Sequence, residues 1–238
     1  MSITKISLAF GKDNMQVTYH KAILAGIVLG LASWMYLVIL SLGNIYLIYA
    51  PFFKIIGAFI FSYGLVTIVN YKYYLYTGSI AKANVSYSID WLRLIFCLLG
   101  NIIVLYLIGN VLSVWMPDLV VVADNLIAIK MTYGWQEIMM KSIGCGLFMY
   151  FAVYANNLAI TSFSVAGFVL CGFEHCLADF FYFCASSQFT LPMFGFFLLA
   201  LLGNTIGASI PRVVTGDIDL IALVESGIKN IKELAQRS

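Results

Sequence analysis

Leu170-Cys171-Gly172-Phe173-Glu174-His175-Cys176-Leu177-Ala178-Asp179 places two acids and a histidine inside an apolar run that extends from Leu158 to Cys184. About 20 mainly apolar residues suffice to cross a bilayer, so this run has membrane length. A charge at the bilayer centre costs roughly 2.5–3.5 kcal/mol on insertion scales, and such residues face a protein interior or an aqueous path. The chain has one other histidine, His20. His175 is therefore the candidate chemical centre.

The rest of the chain agrees with a membrane setting. Of the 238 residues 62% are hydrophobic and only 10% charged, against about 25% charged in an average soluble domain. The mean hydropathy is +0.96. A net charge of +2 is too small to suggest a nucleic-acid partner. Cys97, Cys145, Cys171, Cys176 and Cys184 are odd in number and lack C-x-x-C spacing. They read as apolar filler, not as disulfides or zinc ligands. No signal peptide is read in the first twenty residues.

Six apolar segments are predicted to span: Ala22–Leu42, Phe52–Val69, Leu94–Trp115, Met131–Val153, Leu158–Cys184 and Gln188–Ile210. Residues 1–20 form a lead-in, 21–212 the membrane domain and 213–238 a surface helix or tail. An even number of spans puts both termini on one side. Lys5, Lys12, Lys21, Lys82, Arg93, Arg212, Lys229, Lys232 and Arg237 then mark that side as cytoplasmic by the positive-inside rule. The location expected is the cell (inner) membrane.

Two spans are interrupted. Asn70-Tyr71-Lys72-Tyr73-Tyr74-Leu75-Tyr76-Thr77-Gly78-Ser79 is polar and aromatic where the second span should still be running. Cys171-Gly172 interrupts the fifth. Unwound backbone at membrane depth survives only if it is buried in protein or lines a cavity. Breaks in the second element of each group of three suggest an inverted repeat with broken helices meeting at the midplane. Alternatively, Tyr71–Tyr76 is an interfacial aromatic belt.

Gly172-Phe173-Glu174-His175, Leu75-Tyr76-Thr77-Gly78, Phe61-Ser62-Tyr63-Gly64-Leu65, Gly100-Asn101 and Gly203-Asn204-Thr205-Ile206-Gly207 together resemble the formate/nitrite transporter family. The likeness runs from Lys21 to about Arg212. It implies an all-α, aquaporin-like fold, a homopentamer, and one pore per protomer for small monovalent weak-acid anions such as formate, nitrite or hydrosulfide, carried with protons. No enzyme activity, cofactor or metal is implied. By this resemblance His175 is the central pore histidine, Thr77 the loop threonine beside it, and Lys130 the lysine before the fourth span. Phe61, Leu75 and Phe168 match the outer constriction; Leu65, Tyr76 and Met149 match the inner one. The chain departs from the family pattern in four places. Gly146 stands for an asparagine, Asp179 for an asparagine, Lys72 for a glycine and Tyr74 for an acid.

The residues support a mechanism. Phe168 and His175 are seven apart, hence on one helix face about 10.5 Å apart. Apolar rings flanking an imidazole make a dry chamber that a bare anion enters at high cost. A weak acid escapes that cost by taking a proton. Lys130 would raise the local anion concentration, and Thr77 and His175 would offer hydrogen bonds to a small planar anion. Asn204 is a supporting residue. Glu174 sits about 100° around a helix from His175 and is expected to accept from loop amides near Thr77. Lys72 and Asp179 are expected to pair; alternatively Asp179 holds His175 as imidazolium. Simpler readings stand beside these: a histidine bonded to a carbonyl, an interfacial lysine at 130, plain core at 61, 65 and 168. A neutral-solute pore is the rival function, though no Asn-Pro-Ala pair is present. A redox subunit is a third, without ligand spacing to support it.

Overall fold

The computed structural model describes residues 10–11, 13–83, 88–155 and 157–217. Residues 218–238 of the expected 213–238 surface helix or tail, and half of the 1–20 lead-in, lie outside them. Among the described residues the regular structure is helical: α1 (Met15–Ile45), α2 (Ala50–Asn70), α3 (Tyr76–Ile80), α4 (Ser88–Trp115), α5 (Pro117–Lys130), α6 (Trp135–Tyr154), α7 (Leu158–Leu170), α8 (Cys176–Ala185) and α9 (Leu191–Val214). A short 3₁₀ turn, Leu47–Tyr49, leads into α2.

Four helical stretches are long and apolar enough to cross a membrane: Met15–Ile45, Leu47–Asn70, Asp90–Trp115 and Leu191–Val214. The other two expected spans do not qualify as single helices. Glu137 and Lys141 lie in α6 and pair with each other at 2.8 Å. The fifth span is divided into α7 and α8, each short. Two elements went unread in the sequence. The lead-in turns helical at Met15, where Asn14 caps the helix by accepting from Val17 N–H at 2.9 Å. The loop before Lys130 is helix α5, with Pro117 at its start, Asp118 in its first turn and Lys130 in its last. That placement of proline and charges favours a helix.

The chain contains two copies of one design. α1 packs on α2 and α4; α6 packs on α7 and α9; the halves join through α2–α7 and α4–α8. Both α2 and α7 end in a turn of the Schellman type. Lys72 N–H donates to Val69 O and Tyr73 N–H to Ile68 O (3.2 and 2.9 Å). A hundred residues later Gly172 N–H donates to Val169 O and Phe173 N–H to Phe168 O (3.1 and 3.0 Å). Lys72 and Gly172 both have positive φ, 55° and 66°. Glycine adopts that conformation without penalty and lysine does not, so the turn itself favours glycine at 72, and nothing in the structure explains the lysine.

Two buried asparagines clamp these turns. Asn101 Oδ1 accepts from Tyr76 N–H at 2.9 Å, while its Nδ2 donates to Ala22 O and Tyr74 O (2.8 and 3.1 Å). Asn204 Oδ1 accepts from Cys176 N–H at 2.9 Å, while its Nδ2 donates to Ser142 O and Glu174 O, both 2.8 Å. Where a helix stops in an apolar interior, backbone groups are stranded; each asparagine satisfies two of them and is itself anchored on a carbonyl of a neighbouring helix, Ala22 O of α1 or Ser142 O of α6. The glycines before them, Gly100 and Gly203, admit Ala22 and Ser142 side chains where a Cβ would collide. Gly146 has a counterpart in Gly26, each facing the asparagine of its own half. A side chain at Gly146 would run into Asn204 O and the α9 backbone at Gly207. The glycine at 146 is thus a helix-crossing point, with no volume for the expected polar partner.

Candidate functional site

The two turns aim their following helices, α3 and α8, at one another. His175 is the residue before α8 and its Nδ1 accepts the Ala178 N–H at 3.2 Å, capping that helix. Its Nε2 lies 3.0 Å from Thr77 Oγ1, in the first turn of α3. Both residues are buried. With Nδ1 accepting, the neutral ring carries its proton on Nε2 and donates to Thr77 Oγ1. The Thr77 hydroxyl proton is then available to a further acceptor. The imidazole also stacks on Phe168, with 5.7 Å between centroids and 13° between planes. Phe168 meets Phe61 edge-on at 6.2 Å. Phe168 comes this close because α7 stops at Leu170, so the rise of a continuous helix does not separate the two rings.

Two open cavities flank this point. One, of about 350 Å³, is lined by Leu65, Ile68, Lys72, Leu75, Lys82 and Gly11 among others. It opens on the side of the chain's amino-terminal segment. Tyr74 Oη donates to Phe10 O (3.1 Å) and Asp13 Oδ2 (2.7 Å) there, and Lys21 Nζ pairs with Asp13 at 2.6 Å. The second cavity, of about 200 Å³, is lined by Phe61, Phe168, His175, Lys130, Glu174 and Asp179, with Lys54 and Tyr133 also on its wall. Leu75, matched to the outer constriction, instead borders the first cavity beside Leu65. Tyr76 is buried with its hydroxyl 3.0 Å from Thr205 Oγ1, and Met149 is buried in α6. Neither of these lines either cavity.

The charged residues of the site are arranged differently from the sequence expectation. Lys130 Nζ forms ion pairs with Asp179 at 2.9 Å and with Glu174. Lys130 is therefore not an open cation; its α5 helix buries it between two carboxylates. Glu174 does not serve the amides near Thr77. The backbone at 171–175 is a turn and not a helix, so the 100° step that put Glu174 away from His175 does not apply, and both residues line the same cavity. Asp179 pairs with neither Lys72 nor His175. Lys72 is exposed on the wall of the other cavity, and the His175 ring nitrogens are engaged by Thr77 and Ala178. Sequence reasoning passed over two contributors. Lys54, exposed at the second cavity, has no carboxylate within ion-pair distance among the described residues. Arg212 is buried and donates to the carbonyls of Ile80 and Ala83, closing the end of α3. Its position beside Pro211, at the end of the expected membrane domain, gave no sign of that role. Asn101 was legible through the family resemblance alone, since Gly-Asn occurs four times in the sequence, at 43–44, 100–101, 109–110 and 203–204.

Apolar helices of membrane length, two facing helix starts and a polar pair between two cavities define a multi-pass membrane protein of the transport class. The formate/nitrite transporter family model matches residues 4–215, and the chain belongs to that family. A solved structure described as a pentameric formate channel with formate bound shares the fold with TM-score 0.70 at 19% identity, over 88% of this chain and 98% of that one. An FNT family ion channel does so with TM-score 0.67 at 21% identity, over 82% and 86%. No curated protein matches the sequence.

Proposed function

We propose that this protein is a proton-linked channel for small monovalent weak-acid anions of the formate, nitrite or hydrosulfide class, one pore per protomer of a homopentamer. The carrying observation is the Thr77–His175 contact between the two cavities, closed on one side by Phe61 and Phe168. Family membership and the likeness to a pentameric formate channel support the substrate class and the assembly. In this reading α2 with α3, and α7 with α8, each make one crossing, so the membrane is crossed six times by an inverted repeat. Both termini are cytoplasmic in the inner membrane, on the side richer in lysine and arginine.

Phe61 and Phe168 form the outer constriction, Leu65 and Leu75 the inner one. An anion passing Phe168 leaves water and meets the Thr77 hydroxyl, which is free to donate because its oxygen accepts the Nε2–H of His175 and is polarised by it. Neutral His175 acts as a donor in this pose. Surrendering the Nε2 proton would leave an imidazolate, so the proton that accompanies the anion comes from elsewhere. A neutral-solute pore has weaker support, because membership of the formate/nitrite transporter family points to anions.

His175→Ala in proteoliposomes tests the proposal. Formate or nitrite uptake driven by an acid exterior should fall at least about tenfold, equivalent to about 1.4 kcal/mol, in a folded oligomer. Unchanged uptake, or glycerol permeation equal to formate in the native protein, would refute it.

A further inference from the structure

The outer cavity contains a charge imbalance. One ammonium, Lys130, faces two carboxylates, Glu174 and Asp179, whose side chains are 1% and 2% exposed. Lys130 reaches Asp179 Oδ1 and Glu174 Oε2. Asp179 Oδ2 is buried, and no N–H or O–H of the described residues reaches it. The two carboxyl groups reach the same ammonium, Lys130 Nζ, and so lie beside one another. Two carboxylates in that relation need a proton between them; without it they repel, and an acceptor is left bare in a dry wall.

The remaining groups that face Asp179 do not correct the imbalance. Tyr36 on α1, Tyr182 and Cys176 on α8, and Cys145 on α6 are neutral or add negative charge if ionised. His175 is held by Thr77 and Ala178. Lys54 and Tyr133 lie on the same cavity wall, but neither is bonded to Asp179.

We infer that Asp179 and Glu174 form a proton-binding site that shares one exchangeable proton, and that this proton must be in place for an anion to occupy the outer cavity. With it, the Lys130 cluster is neutral overall. Without it, the cluster carries one net negative charge beside Phe168 and His175 and repels the anion the pore conducts. The aspartate at 179 is what creates the site; an asparagine there would leave a matched Lys130–Glu174 pair. The inference rests on the anion-channel reading for its transport consequence, but the proton itself does not.

Two measurements test it. Infrared difference spectra of the native protein at neutral pH, in light and heavy water, should contain a protonated carboxyl band that disappears in Asp179→Asn. Anion flux of Asp179→Asn divided by that of the native protein should rise with outer pH, by up to about tenfold per pH unit, as a single lost proton requirement dictates. Taking the ratio removes the substrate's own protonation. Glu174→Gln should give the same ratio if Asp179→Asn fails to assemble. Absence of the band in the native protein, or a flat ratio in both variants, overturns the inference. If no variant or native protein passes anions, the channel reading fails and the band alone decides the proton site.

Discussion

Asn204→Ala should be among the most damaging single changes in the chain. The side chain makes three hydrogen bonds, to Cys176 N–H, Ser142 O and Glu174 O, at 2.8–2.9 Å. It is wholly buried, so water cannot replace it. The two groups stranded at the turn, Cys176 N–H and Glu174 O, cost about 1–3 kcal/mol each, giving a loss of roughly 2–6 kcal/mol. The helix start that carries His175 would lose its anchor. Unfolding of the detergent-solubilised protein, followed by heat or denaturant, reads the loss. Asn101→Ala provides the internal comparison. It removes the same three bonds in the first half, so the two losses should agree within about 2 kcal/mol. A loss below about 1 kcal/mol for Asn204→Ala would refute the clamp. So would a harmless Asn101→Ala beside a harmful Asn204→Ala, because the two sites would then not be equivalent.

Lys72→Gly should stabilise the protein by about 0.5–1 kcal/mol, since glycine removes the left-handed penalty but frees the unfolded chain; the same unfolding assay checks it. Lys54→Glu should lower anion uptake about three- to tenfold at low salt, with the deficit shrinking as salt is raised; flux at two ionic strengths decides. Asp13 ties the amino-terminal segment to Tyr74 and Lys21, and the Lys21 contact, then the Tyr74 hydroxyl, hold its carboxyl below its usual 3.8. Its contribution is therefore complete above that value and lost only as pH falls through the lowered one. Protection of the residue-13 amide, which donates to Phe10 O at 3.1 Å, should be equal at neutral and mildly acidic pH and should disappear in Asp13→Asn at neutral pH.

Much of the architecture was legible in composition and pattern. Apolar length located α1, α2, α4 and α9, and the polar runs at 70–79 and 170–179 fall where α2 gives way to α3 and α7 to α8. Helix α5 was hidden because its signal is local, a proline and two end charges, in a segment too polar to read as a span. The partners of Lys130 were hidden for another reason. Extrapolating helical geometry through Cys171–His175 assigned Glu174 to the wrong face and set Phe168 too far from the imidazole. Side-chain directions follow helix periodicity only where the helix persists, and the functional residues lie where it does not. The pairing of Lys72 with Asp179 failed on the same point. Two charges on facing broken helices need not be on the same side of the break.

Each asparagine clamp is completed within its own half. Asn101 needs only Ala22, Tyr74 and Tyr76; Asn204 needs only Ser142, Glu174 and Cys176. The consequence concerns synthesis. By the time Asn101 leaves the ribosome, every partner of the first clamp has been made, and the first turn closes while Ser142 is still unwritten. The Thr77–His175 bond is the opposite case, joining residues 98 positions apart across the two halves. It forms only when the later half has entered the membrane and docked. A truncated or half-inserted chain therefore carries a sealed turn but no finished conduit, and the bilayer is not breached by the protein while it is being built.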